Sequence, residues 1–480
     1  MDDRRAPFRQ VVLICSDEHD PRHSGFGGST LVKTPHLDRL AAQGAQFTRC
    51  WTPSPLCVPA RASLATGLWV HQHRCWDNAI AYDGGLPSWG HRLRAAGIRV
   101  ESIGKLHYRD AQADTGFDRQ HEPMHLAEGK GQVWGSVRDP LPEVGGGAPL
   151  FKRMGAGESD YNRFDRRVAQ KAADWIAARG REGDAAPAAL FVGLVAPHFP
   201  LVVPQPYLDL YPPDSLPMPK LRPQDGYTRH PWVERLANYN RLDEQLGSDA
   251  QRRLAMACYF GLVSFMDEQV GRVLRAIDES GMAEDTLVLY FSDHGDNLGA
   301  RGLWNKSVLY RESTAVPMLL RGRGIAARAV QTPASLVDVF PTVLQALGVE
   351  PPAELPGRSL LDQLERPDPH RCVLSEYHAI GSPTGAFMLA AGDWKLHEYV
   401  GYPPELFDLA NDPQELHDLA ASPAHAGVLR ELQAVLRERL DPLRVDRLAK
   451  DDQNRLVQAS GGREAALAIG RIGATPAPRG

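Results

Sequence analysis

The sequence predicts an α/β fold in which helices cover both faces of a largely parallel sheet. Three observations carry that expectation: short apolar runs without alternation, stretches at helical spacing between them, and acids or histidines clustered where the runs end. At 480 residues the chain exceeds the usual size of one compact core, so more than one domain is expected.

The first element is Val11-Val-Leu-Ile-Cys15, a β-branched and apolar run suited to a central strand buried on both faces. A helix is predicted from Pro35, with Thr34 as its N-cap and Gly44 as its stop. Residues 86–96 read as a second helix ended by Gly97, and residues 99–103 as the strand after it. Residues 189–195 and 286–292 are two more buried-strand runs. Between them, residues 252–280 place Leu254, Ala257, Cys258, Leu262, Phe265 and Met266 at helical spacing. Residues 109–160 and 200–250 are rich in glycine, proline and polar residues and read as long insertions rather than sheet elements. These elements fill a large α/β domain over residues 1–370. Residues 371–443 read as a smaller unit, with strands at 372–377, 386–390 and 394–399 and a helix at 428–440. Residues 444–480 read as an extended tail.

Composition narrows the function. The chain is 43% hydrophobic and 24% charged, and 54 basic against 59 acidic residues give a net charge of −5. That balance argues against a nucleic-acid partner. The absence of any apolar run of about 18 residues argues against a membrane span. Residues 1–10 are charged and the apolar run after them is too short for a signal peptide, so a cytoplasmic protein is expected. Six cysteines without CxxC spacing need no disulfide framework in that compartment.

Ligands of open α/β sheets bind beyond the carboxyl ends of the strands. Here those ends deliver Asp17 and Glu18, His198, and Asp293 and His294. Carboxylates and imidazoles brought together repel one another unless a cation lies between them, which points to a divalent metal. A second constellation surrounds Cys57, set between Pro55 and Pro59 at the start of a predicted helix beginning near Ala60. The unpaired amides and dipole of a helix start favour an anion, and Arg61 adds a charge of fork geometry.

Cys57-x-Pro59-x-Arg61 followed by Leu64-Ala-Thr-Gly67 resembles the signature of the type I sulfatases of the alkaline phosphatase superfamily. Gly104-Lys105-Leu106-His107, Pro197-His198, Ser292-Asp293-His294-Gly295 and Trp304-Asn305-Lys306 resemble further landmarks of that family, in its order. Residues 403–413 resemble its carboxy-terminal segment, so the resemblance spans roughly residues 10–420. It implies an alkaline-phosphatase-like α/β/α sandwich with a large mixed, mostly parallel sheet. It also implies a hydrolase of sulfate monoesters in which Cys57 is oxidised to Cα-formylglycine by a maturation enzyme. The implied metal ligands are Asp17, Glu18, Asp293, His294 and the side chain at position 57, around one divalent ion, Ca²⁺ or Mn²⁺. The implied mechanism makes one hydroxyl of the hydrated aldehyde the nucleophile at sulfur. Lys105, Lys306 and Arg61 offset the sulfuryl charge, His198 or Lys306 protonates the departing alcohol, and His107 takes the proton that lets sulfate leave.

Two features refine the resemblance. Alanine stands at position 60 where serine is commoner, and Glu18 stands where many sulfatases have a second aspartate. Asp-His at 293–294 and Trp76-Asp-Asn78-Ala are similar to choline sulfatases and phosphonate monoester hydrolases, where the asparagine binds the transferred group. Lys105 and His107 stand where phosphonate monoester hydrolases tend to have tyrosine and threonine, which favours sulfate esters. A phosphonate monoester hydrolase or phosphodiesterase on the same scaffold is the second reading, and a non-catalytic protein binding sulfated ligands the third. The tail resembles those that make subunit contacts in the same subgroup, so a homo-oligomer is expected. Tyr161, Trp134 and Trp232 in the insertions are candidates for substrate contact, as is His378.

Overall fold

The structure is a computed structural model that describes residues 7–143, 145, 149–182, 186–468 and 475–478. The charged residues 1–6, positions 144 and 146–148 of the first insertion, and positions 469–474 and 479–480 of the expected tail lie outside the described residues.

Eight strands form the main sheet: β1 (Gln10–Asp17), β2 (Ala45–Phe47), β3 (Arg99–Lys105), β4 (Arg119–Met124), β5 (Ala188–Pro197), β6 (Thr286–Ser292), β7 (Met318–Arg321) and β8 (Arg328–Val330). Their order is β8-β2-β7-β6-β1-β5-β3-β4. Neighbours pair in parallel except on the two sides of β7, so β7 alone runs against the others. The first strand of the chain is therefore central, between β5 and β6.

The uninterrupted apolar runs are explained by the pleat, which sends alternate side chains to opposite faces. Val12, Ile14, Leu190, Val192, Val288 and Tyr290 enter one core layer. Val11, Leu13, Cys15, Ala189, Phe191, Leu287 and Leu289 enter the other. The first layer is closed by α1 (Pro35–Ala42), α4 (Asp160–Arg181) and the 31-residue α5 (Asp249–Glu279). On the opposite face lie α2 (Cys57–Thr66), α3 (Trp89–Ala95) and α6 (Val339–Ala346). All ten residues of α2 are buried. Gly67 ends that helix in the left-handed region at φ 70°, its N–H donating to Ser63 O at 2.8 Å.

A second sheet is an antiparallel meander of β9 (Cys372–Tyr377), β10 (Ala386–Ala391), β11 (Trp394–Tyr399) and β12 (Glu405–Asp408). The helix α7 (Ala426–Arg439) packs on β10 and β11. The sheet shares a core with Trp51, Leu56 and Trp76 of the main unit.

Three expectations are corrected. Residues 442–468 are not an extended tail: Pro442–Ala459 (α8) and Gly462–Ala468 (α9) are helical. Asp441 caps α8 by accepting from the amides of Leu443 and Arg444. The insertion at 109–160 supplies β4, the edge strand, whose side chains are only partly covered and therefore polar. Thr34 makes no side-chain cap; the carboxylate of Asp267 on α5 accepts from His36 N at 3.1 Å and Leu37 N at 2.8 Å instead. All six cysteines are free, and only Cys372 is not buried. Among the described residues no helix is long and apolar enough to cross a membrane.

Candidate active site

Strand register builds the site. Ser16 of β1 pairs with Ser292 of β6, so the residues that follow, Asp17 and Asp293, emerge side by side. On the other flank Cys15 pairs with Gly193, and Gly193 with Gly104 of β3. A Cβ on Gly104 would meet Gly193 O at 2.2 Å, and one on Gly193 would meet Lys105 O at 2.1 Å. The bare backbones let these strands close together and bring Lys105 beside Asp17. Lys105 Nζ forms an ion pair with Asp17 Oδ2.

The helix α2 places Cys57 at its first position, facing these strand ends. Cys57 Sγ lies 3.1 Å from His294 Nε2 and 3.7 Å from Asp17 Oδ1. His294 Nε2 in turn lies 3.7 Å from Asp17 Oδ1 and 3.7 Å from Asp293 Oδ1. Its Nδ1 donates to Gly295 O at 3.0 Å, which leaves Nε2 as a lone pair aimed at the cluster. One carboxylate oxygen each from Asp17 and Asp293, one imidazole nitrogen and position 57 make a donor set that fits a divalent cation.

Glu18 takes a different place. Its Oε2 accepts from Lys306 Nζ at 3.0 Å and lies 3.5 Å from His198 Nε2, while Oε1 is buried without a partner. It groups with Asp17 and His198 rather than with His294. An orphaned, buried carboxylate oxygen beside the cluster is itself consistent with a cation ligand.

Arg61 is placed otherwise than its motif led us to expect. Nε donates to Asp293 Oδ2 at 2.8 Å, Nη2 to Asp17 Oδ2 at 3.2 Å, and Nη1 to Lys105 O at 2.9 Å. Its guanidinium is spent on orienting both carboxylates, and it does not line the cavity beside Cys57.

The electrostatics follow from burial and these charges. Burial, with Asp17 beside it, pushes the Cys57 thiol up to about 11. Such a thiol stays protonated at neutral pH and is a poor nucleophile as it stands. Against burial, the Lys105 ammonium, with the Arg61 guanidinium, holds Asp17 well below the usual carboxylate range. Burial and the Lys105 ammonium hold His107 far below its ordinary value, and burial and Lys306 do the same for His198. Both rings are therefore neutral bases in this state. Glu18, His107, Asn305 and Ser307 all carry left-handed backbone, at φ 70°, 61°, 67° and 87°. Such strain concentrates where a fold over-determines a functional position.

Two hollows meet here. A small cavity of about 30 Å³ is bounded by Cys57, Lys105, His107, Tyr161 and Thr475. A cleft of about 240 Å³ is walled by Trp134, Phe199, Leu236, Trp304, Ile380 and Lys306. Asn78, Gln132 and His198 border both. Asn78 Oδ1 accepts from Val58 N at 3.3 Å, and its Nδ2 donates to Gln132 Oε1 at 3.2 Å.

The structure thus gathers Asp17, Glu18, Cys57, Arg61, Asn78, Lys105, His107, His198, Asp293, His294 and Lys306. Tyr161 and Trp134 also reach the hollows, whereas Trp232 and His378 are buried in the core around the second sheet. Sequence reasoning did not single out Gln132, Asp296 or Thr475. Gln132 sits in a polar loop with no motif. Asp296 is buried three residues past Asp293, and burial holds its carboxyl above the usual range although it accepts from Leu298 N.

Comparison with known proteins matches residues 9–349 to a family described as Sulfatase and residues 299–444 to one described as N-sulphoglucosamine sulphohydrolase, C-terminal. A choline-sulfatase of Rhizobium meliloti (strain 1021) is 30% identical over 440 residues, covering 86% of this chain and 82% of that protein. An arylsulfatase K of Bos taurus is 27% identical over 451 residues, covering 86% and 78%. The crystal structure of a phosphonate monoester hydrolase of Agrobacterium radiobacter superposes with a TM-score of 0.72 at 24% identity, covering 90% of this chain and 95% of that one.

Proposed function

Because this chain belongs to the sulfatase family and is a sulfuric ester hydrolase, we propose that the cluster around Cys57 is its reaction centre. One observation carries the assignment. Ligand atoms of Asp17, Cys57, Asp293 and His294 lie within 4.8 Å of one another, beside a cavity that Cys57 shares with Lys105, His107 and His198.

A divalent cation held by Asp17, Asp293, His294 and position 57, with Glu18 in reach, would acidify the attacking hydroxyl and offset sulfuryl charge. Carboxylate oxygens suit Ca²⁺, and the imidazole nitrogen extends the choice to Mn²⁺. Position 57, as the formylglycine the family implies, would supply one hydroxyl as nucleophile and a second as proton source.

The remaining chemistry belongs to side chains of this chain. The sulfuryl group occupies the small cavity, where Lys105 and Asn78 hold its oxygens. Arg61 fixes the carboxylates rather than touching sulfate. His107 is the base. The alcohol occupies the larger cleft, and the departing oxygen falls between His198 and Lys306. Because His198 Nδ1 faces Phe199 O at 2.7 Å, its Nε2 is the atom turned to the site. Lys306 Nζ donates to Glu18 Oε2 at 3.0 Å, a carboxylate contact that keeps the ammonium charged and placed to offset the charge building on the departing oxygen.

Cys57 is 1% exposed, so a maturation enzyme reaches it only before the fold closes. Peptide mass spectrometry on protein from its native host should find an aldehyde at position 57; a quantitative thiol there would defeat the reading.

The Asp293–His294 pair and the Asn78 loop keep the phosphonate monoester reading open to test. Turnover of para-nitrophenyl sulfate is expected to exceed that of phenyl phosphonate and bis-para-nitrophenyl phosphate. The reverse order would make this chain a phosphoryl hydrolase.

A further inference from the structure

Thr475 lies 368 residues from His107 in sequence, yet its Oγ1 is 2.8 Å from His107 Nε2, on the rim of the cavity that also holds Cys57. The contact is held from several directions. Tyr161 OH donates to Thr475 O. Arg167 Nη2 donates to Pro478 O at 2.9 Å. Ala477 packs against the core layer beneath α4 and α5. His107 is fixed from its own side as well, by a left-handed backbone at φ 61° and by its N–H donating to Met124 O at 2.9 Å. The ring's other nitrogen, Nδ1, is buried without any partner.

We propose that Thr475 is a positioning residue: its hydroxyl accepts from His107 Nε2–H and so holds the imidazole in the tautomer whose Nδ1 lone pair is bare. The alternative tautomer would bury an Nδ1–H with no acceptor, in a cavity it shares with the Lys105 ammonium. A lone pair is favoured there and a second N–H is not. The bare Nδ1 is then the atom that receives the proton surrendered at position 57. A segment remote from every sulfatase motif thereby sets the protonation geometry of the base. This inference rests on the functional reading above in one respect only, the role of His107 as base.

Two measurements test it on the full-length matured protein. In ¹⁵N-histidine-labelled enzyme, with the His107 signals identified by their loss in His107→Asn, the ring should be the Nε2–H tautomer. In Thr475→Val the population should shift toward Nδ1–H. With para-nitrophenyl sulfate, Thr475→Val should lower kcat about 10-fold with KM within about twofold, a fraction of the 10²–10⁴ that a general base supplies. Thr475→Ser should keep both the tautomer and kcat. An Nδ1–H ring in the wild type, an unchanged kcat in Thr475→Val, or an equal loss in Thr475→Ser would each overturn the proposal. If the wild type hydrolyses no sulfate ester, the functional reading fails while the tautomer measurement still decides the role of Thr475.

Discussion

Arg61 Nε donates to Asp293 Oδ2 at 2.8 Å, joining the helix that starts at Cys57 to the end of the strand Thr286–Ser292. With Nη2 on Asp17, one guanidinium is shared between two buried carboxylates that would otherwise repel. Arg61→Ala leaves Asp293 without its ion pair, and breaking a buried pair costs about 3–5 kcal/mol. Equilibrium urea unfolding should show a loss of that order. Arg61→Lys should recover less than half, because an ammonium does not span Asp293, Asp17 and Lys105 O together.

Lys306 is predicted to act on kcat more than on KM. Lys306→Ala removes a preorganised donor at the junction of the cleft and Glu18, and such losses are about 10²–10³ in rate. Steady-state kinetics on matured protein check this. A change confined to KM would reassign Lys306 to ground-state binding.

Removal of metal is predicted to cost both activity and stability. Without a cation, Asp17 and Asp293 are balanced by Lys105 and Arg61 alone. An ion present at 100 times its Kd adds about 2.7 kcal/mol to folding. Chelated and reloaded protein should therefore differ clearly in melting temperature, and Asp293→Asn should abolish that difference.

His71 Nδ1 lies 2.7 Å from Glu376 Oε1, tying the segment after α2 to the second sheet. Against burial, Glu376 raises His71 above its ordinary value; against burial, His71 and His378 hold Glu376 far below its own. A raised histidine stabilises fully below its unfolded pKa of about 6.5 and loses that contribution as pH climbs through the folded value, whereas the glutamate's share is present above about 4.3 and lost as pH falls. The pair should contribute most between those limits. His71→Gln should cost about 1 kcal/mol near pH 5.5, shrinking toward zero near pH 9, in urea midpoints compared with wild type. A difference independent of pH would show that the contact is not ionic.

The helix α8 braces the loop that carries Asn78. Gln453 Nε2 donates to Asp77 Oδ2 at 2.8 Å, and Trp76 Nε1 to Asp452 Oδ2 at 2.7 Å, so both residues just before Asn78 are tied to α8. Gln453→Ala should raise KM several-fold with little change in kcat. An unchanged KM would show that Asn78 is held by Gln132 and Val58 alone.

The strands β1, β5 and β6 were legible because burial on both faces leaves unbroken apolar runs such as Val11–Cys15. Most of the residues gathered around Cys57 were legible because they sit in compact motifs where a strand or helix begins or ends, as Asp17, Cys57, His198 and Asp293 do. The edge strand Arg119–Met124 was not, since one side of an edge is wet and its sequence stays polar. The helix α8 had a readable signal in Asp441-Pro442 and in Val445, Ala449, Gln453 and Val457 at every fourth position, but one narrow apolar stripe is easily mistaken for a solvated segment. Arg61 reads locally as an anion contact, and its real partners are set by the register of three strands. Thr475 carries no local signal at all, because its partner is hundreds of residues away.

The central position of β1 has a consequence for timing during synthesis. That strand leaves the ribosome well before its two neighbours, which follow only at Ala188–Pro197 and Thr286–Ser292. At about 5–20 residues per second, the interval between Cys57 and the arrival of β6 is on the order of tens of seconds. Through that interval the helix of Cys57 has no finished floor to pack on, and the thiol stays open to solvent. Ribosome-bound chains stalled before Thr286 should react with a thiol label at Cys57, and chains stalled well past Arg321 should not.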